Sequence, residues 1–160
     1  NELWIELTIS SNGRRIVSSG GIDEKGVVDP WAKFLDVWLL NSKGERIEQR
    51  NPEDIFVPLY NHQIPPGAAD VVHYRFHVPD DCDQPVRIAA VLKYRKFDTE
   101  YMRLIHDDAH WVNTLPITVL AQDSITLAVT GGPRVETPEV NSVPEWVRWN
   151  DYGIGLFRKG

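Results

Sequence analysis

Residues 64–79 read IPPGAADVVHYRFHVP. Pro65, Pro66 and Gly67 stop whatever precedes them, because proline fixes φ and removes a donor while glycine opens a turn. Strict alternation follows. Val72, Tyr74, Phe76 and Val78 fall on one side, and His73, Arg75 and His77 on the other. A period of two predicts a half-buried β-strand over 68–78 with one wet face, and Pro79 ends it. This is a scaffold signal and carries no chemistry by itself.

The same period recurs on both sides. Val86, Ile88, Ala90, Leu92 and Tyr94 alternate with Arg87, Ala89, Val91, Lys93 and Arg95, a long strand expected to pair with 68–78 across the turn at 80–85. Towards the N-terminus, 34–41 is apolar on both faces apart from Asp36 and the closing Asn41, which predicts a central, doubly covered strand. A short polar strand is expected at 45–48 and another at 55–60, entered through Asn51-Pro52. Leu3, Ile5, Leu7 and Ile9 form the first strand. Asn12-Gly13 turns it into a return strand at 15–18, since Asn-Gly supplies positive φ at little cost. A punctuated loop fills 19–33.

Beyond the long strand, Asp98 reads as an N-cap with acids in the first turn, and Phe97, Tyr101 and Leu104 or Ile105 recur at helical spacing to about Asp108. Strands at 115–120 and 124–129 close the sheet region. Three prolines and two glycines without apolar period make 130–144 a linker. From 145 to 160, Trp146, Trp149, Tyr152, Ile154, Leu156 and Phe157 recur three or four apart, an amphipathic helix begun by Pro144. The expected class is therefore all-β: an immunoglobulin-like or fibronectin-like β-sandwich at 1–129, with a short inserted helix and a C-terminal helix. One such helix cannot bury its own stripe, so 145–160 is expected to open a second module.

The totals suit one domain. In 160 residues, 42% hydrophobic and 25% charged content is ordinary for a folded chain, and eleven Pro, eleven Gly and six Trp lean towards turns and strands. A net charge of −6 argues against nucleic acid. No membrane-spanning run is read, and the opening NELWIELTIS is taken as a strand rather than a leader. Cys82 is the one cysteine, flanked by acids that disfavour its thiolate, so an internal disulfide is impossible.

Chemistry is sparse. His106 and His110 in HDDAH stand four apart, which on a helix places both imidazoles on one face as a metal wants; no third ligand is evident, and a solvated helix end is the plainer reading. His73 and His77 share a strand face about 13 Å apart, too far for one ion. With Arg75 they make a stripe that is cationic at acid pH, a candidate interface or simply a wet face. His62, in YNHQIPPG, lies in a proline-pinned loop that suits a ligand or contact residue. Ser124 and Asp123 show no nucleophile elbow, and Asp23, Glu24 and Asp29 lack calcium-loop spacing. Two further classes stay open: a carbohydrate- or peptide-binding module using Trp31 and Trp111, and a metal-dependent hydrolase using His106 and His110.

Three phrases, LYNHQIPPGAADVVHYRFHVP, LKYRKFDTEYM and LPITVLAQDSITLAV, resemble the β-sandwich domain of multihaem c-type cytochromes that also carry tetratricopeptide repeats. The closing EWVRWNDYGIGLFRKG resembles a first repeat helix, with Trp149, Tyr152, Gly153 and Leu156 at the aromatic, small and apolar positions. The resemblance implies an exported, extracytoplasmic electron-transfer parent. It departs from that parent in having no CxxCH, so this segment holds no covalent haem and is implied to be a non-catalytic structural and interaction domain. Its implied partners are the haem-bearing and repeat segments of the same polypeptide. His62 is implied as a candidate distal ligand to a neighbouring c-type haem, since axial histidine is a common hold on such irons. Trp146, Trp149 and Phe157 are expected to mediate self-association.

Overall fold

A computed structural model describes residues 1–47, 52–136 and 143–158. Seven strands make two antiparallel sheets, with two helices beside them. The larger sheet starts with β1 (Glu2–Ser11), whose alternating aliphatics give it one apolar face. Asn12 and Gly13, both at positive φ, reverse the chain into β2 (Arg14–Ser19). On its other side β1 pairs along its whole length with β6 (Val86–Arg95), from Glu2 opposite Arg95 to Ser11 opposite Val86. β7 (Ile117–Leu127) pairs with β6 and forms the outer edge, while the two-residue β3 (Lys33–Phe34) adds to β1 at Trp4 and Ile5. The second sheet is a hairpin of β4 (Val37–Leu40) and β5 (Val57–Asn61).

Each face of the large sheet is covered differently. Odd positions of β1 carry Leu7 and Ile9, which with Val86 form a buried cluster packed by Phe76, Cys82 and Val129. Even positions carry Trp4, fully buried, whose indole N–H donates to the Gly20 carbonyl at 3.0 Å. Beside it Arg95, 1% exposed, donates to Glu2 at 2.9 Å and to the Gly26 carbonyl at 2.8 Å. The Thr99 hydroxyl donates to that same carbonyl at 2.6 Å. The 20–32 loop is thereby tied down onto this face. Gly26 has to be glycine: φ is +77°, and a Cβ there would stand 2.4 Å from the Asn113 carbonyl oxygen. Burial outweighs the Arg95 guanidinium at Glu2, so its carboxyl sits above the ordinary carboxylate value.

Several expectations are corrected. The 68–78 stretch is not a strand, and no strand among the described residues pairs with it. It crosses the odd face of the large sheet, where Phe76 meets the Leu7–Ile9–Val86 cluster while His73, Arg75 and His77 stay exposed. The reason is topological: both edges of β6, its expected partner, are taken by β1 and β7. The apolar run 34–41 is not central either. It breaks at Leu35 and Asp36, leaving β3 in one sheet and β4 in the other. The two strands expected at 115–120 and 124–129 are one, β7, and 55–60 is realised as β5. At 45–48 there is a lone bridge from Arg46 to Leu40, and Glu48 and Asn51 lie outside the described residues. Residues 137–142 of the expected linker and 159–160 of the last helix lie outside them too.

The helices match their sequence signals. α1 (Thr99–His106) is capped by the Asp98 carboxylate, which accepts the Tyr101 N–H at 2.8 Å, and it stops at Asp107 in the left-handed region. α2 (Glu145–Phe157) rests on the 63–71 chain through Gly155, where a Cβ would meet the Val71 Cγ2 at 2.6 Å. Arg158 donates to the Gln63 and Ala69 carbonyls, which flank the Pro65-Pro66-Gly67 turn. Sheet, crossing chain and helix thus stack in that order. None of the described helices is long and apolar enough to cross a membrane.

Candidate functional site

A cluster of polar and aromatic contacts surrounds the break at Asp36. Its backbone carbonyl accepts the His62 N–H at 2.8 Å, joining the start of β4 to the end of β5. Its carboxylate accepts the Trp38 indole N–H at 3.1 Å through Oδ2. The other oxygen, Oδ1, is buried and accepts no hydrogen bond among the described residues; His62 Nδ1 stands 3.6 Å from it. Around this pair the rings of Trp38 and Tyr60 meet edge-on at 6.1 Å, and Tyr60 lies parallel to His62 at 5.9 Å. The Arg46 guanidinium sits 4.0 Å over Trp38, a cation–π contact that orders the hairpin's open end.

The His62 ring thus sits beside the Asp36 carboxylate at 3.6 Å, beyond hydrogen-bond distance. The His62 side chain is 40% exposed, so the ring can be reached from outside. No group of three or more His, Cys, Asp or Glu is set to hold a metal ion among the described residues.

The other candidate residues stand apart. His73, Arg75 and His77 are exposed along the crossing chain, with His77 Nε2 3.9 Å from the Asp80 carboxylate. Trp146, Trp149 and Phe157 are exposed on the side of α2 away from Gly155. His106 is the last residue of α1, so the helical spacing that would align it with His110 is interrupted. Its ring stacks on Trp111 at 3.6 Å, and the His110 N–H bonds the Asp108 carboxylate. Trp31 is 89% exposed, and no ring contact joins it to Trp111.

Sequence reasoning singled out His62 but missed its setting. The available signal was Asp36, the lone polar residue in an apolar run, which the structure turns from a strand position into a break that anchors a histidine. Arg46, Trp38 and Tyr60 gave no comparable signal. No family model matches the chain, and neither a curated protein nor a solved structure does.

Proposed function

We propose that this chain is a non-catalytic structural and interaction domain, an immunoglobulin- or fibronectin-like sandwich that joins other segments of an exported multihaem cytochrome. The observation carrying the interaction role is α2. It is held by its Gly155 side while Trp146, Trp149 and Phe157, 64–87% exposed, face outward. Exposed aromatic rings on one helix side are the usual mark of a contact surface. In the proposed parent that side receives the next helix of a repeat region, and in the isolated segment it favours self-association. The cytochrome parent rests on the sequence resemblance. A His62 side chain that is 40% exposed at the end of the β4–β5 hairpin supports a distal-ligand role in such a parent.

The test is made on native protein. An antibody to this domain is used to isolate the intact polypeptide, followed by intact mass and a pyridine-haemochrome spectrum. A much heavier polypeptide with several c-type haems supports the reading. A haem-free protein overturns the cytochrome parent and leaves the domain to be judged by its own ligands. With the parent in hand, His62→Ala is expected to move one haem's spectrum and potential; unchanged spectra and potentials remove His62 from the ligand set.

A further inference from the structure

The two edges of the large sheet are built differently. β2 is short and begins with Arg14 and Arg15, a charged edge of the kind that discourages pairing with foreign strands. β7 runs eleven residues with no Pro, Lys or Arg, and Asp123 is its sole charge. Ile117, Val119, Leu120, Ile125 and Leu127 on it are 39–53% exposed. Among the described residues no strand pairs with its outer side, so its backbone groups remain a template for another strand.

A groove of about 300 Å³ adjoins this edge on the face crossed by the 64–79 chain. It exists because small side chains meet large ones. Ala90 on β6 and Ala121 on β7 form the floor, and Ile64 and Val72 wall it in. Two acids line it, and Asp123 stands opposite Ala90 in the β6–β7 ladder. Asp70 already faces Lys33 at 3.8 Å, whereas Asp123, exposed, takes its described hydrogen bond from the neighbouring Ser124 N–H at 2.7 Å. An apolar floor with a carboxylate beside it matches a side chain with a methylene stem and a cationic head.

We propose that β7 binds an extended peptide by strand addition, with a lysine of that peptide laid in the groove. The peptide backbone supplies hydrogen bonds to the β7 edge, the lysine stem covers Ala90 and Ala121, and its ammonium pairs with Asp123. A chain of net charge −6 also favours a basic partner in encounter. Charge separates this occupant from a second copy, because pairing β7 with itself brings Asp123 towards its own duplicate and supplies no cation. The site deepens the interaction-domain reading and does not depend on the haem-bearing parent, so the two fail independently.

The probe is a fluorescein-labelled seven-residue peptide of alternating threonine and valine with one central lysine, added to the full chain. Saturable anisotropy is expected, with amide shifts confined to β7 and the groove. Methylating the peptide's alternate backbone nitrogens on its pairing side is expected to weaken binding at least tenfold, as is replacing the central lysine by glutamate. Asp123→Lys, at an exposed position, is expected to reverse the lysine–glutamate preference. Equal binding of the methylated peptide overturns strand addition, and an unmoved preference in Asp123→Lys overturns the lysine site. No saturable binding overturns both. Sedimentation showing a dimer whose formation protects the β7 amides overturns the peptide in favour of a second copy. The methylated-peptide arm uses the unaltered chain, so misfolding of a variant does not rescue the proposal.

Discussion

β6 and the chain at 70–79 are written in the same two-residue period and end in different states. β6 is hydrogen-bonded to a strand on each side over its full ten residues. The 70–79 chain, with Val72 and Phe76 half-buried and its basic residues exposed, pairs with no described strand. Alternation therefore marks a chain that lies on an apolar layer, although Tyr74 and Val78 stay exposed and Arg95 of β6 is buried. It does not specify whether the backbone joins a ladder, because that depends on an edge being free when the chain arrives. Here β6 has no free edge, and the chain lies over the sheet, held by side chains.

The comparison can be broken most directly by hydrogen exchange. Amides of β6 should open only with global unfolding, whereas those of 72–78 should exchange at least about a thousandfold faster, given domain stabilities of roughly 5 kcal/mol or more. Equal protection would mean that the crossing chain has backbone partners after all. Truncation sharpens the contrast in energy. Ile9→Ala, in the buried cluster, should cost about 3–5 kcal/mol in urea unfolding, and Phe76→Ala, packing against the same cluster from outside, about 1–2 kcal/mol. A larger loss at Phe76 would make the crossing chain, not the sheet, the centre of the core.

Gly155→Ala probes the outermost layer. In a free helix this change stabilises by about 1 kcal/mol. Here the new methyl meets Val71, so α2 should instead lose docking, seen as faster exchange in 145–157 with β1 and β6 unchanged. Slower exchange in α2 would show that the helix is not seated on Val71. The smallest effect concerns Glu2, on the opposite face. Its folded-state value lies above the ordinary 4.5, so its contribution to stability is full below about pH 4.5 and is lost as pH rises through the folded value. Glu2→Gln lacks this step. The stability of the unaltered chain minus that of Glu2→Gln should therefore fall with rising pH, and a flat difference would place no titration at Glu2.

Local signals were legible wherever one residue's own chemistry decides the outcome. The Asn12-Gly13 turn, the Asp98 cap, the β1 and β6 strands and the α2 helix all appear in the structure where the sequence puts them. What could not be read was competition between segments. The run at 34–41 looks like one buried strand, yet Asp36 breaks it, and its two halves serve different sheets. Arg95 looks like an ordinary polar-face residue, yet it is buried with Glu2 because the 20–32 loop closes over it. The candidate site follows the same rule. His62 stood out by its loop, but Asp36 becomes its partner through the β4–β5 pairing, which no local pattern announces.

The way α2 is fastened has a mechanical consequence. Its seat is one glycine against Val71 and one arginine bonded to carbonyls on both sides of a proline–glycine turn. Tension applied through α2 is borne first by that clasp. Once it yields, the load passes back along the chain to the C-terminal end of β7, where the strand ladder takes it. The helix is wired to the domain as a fuse, giving way at low force while the sheet behind it keeps its shape.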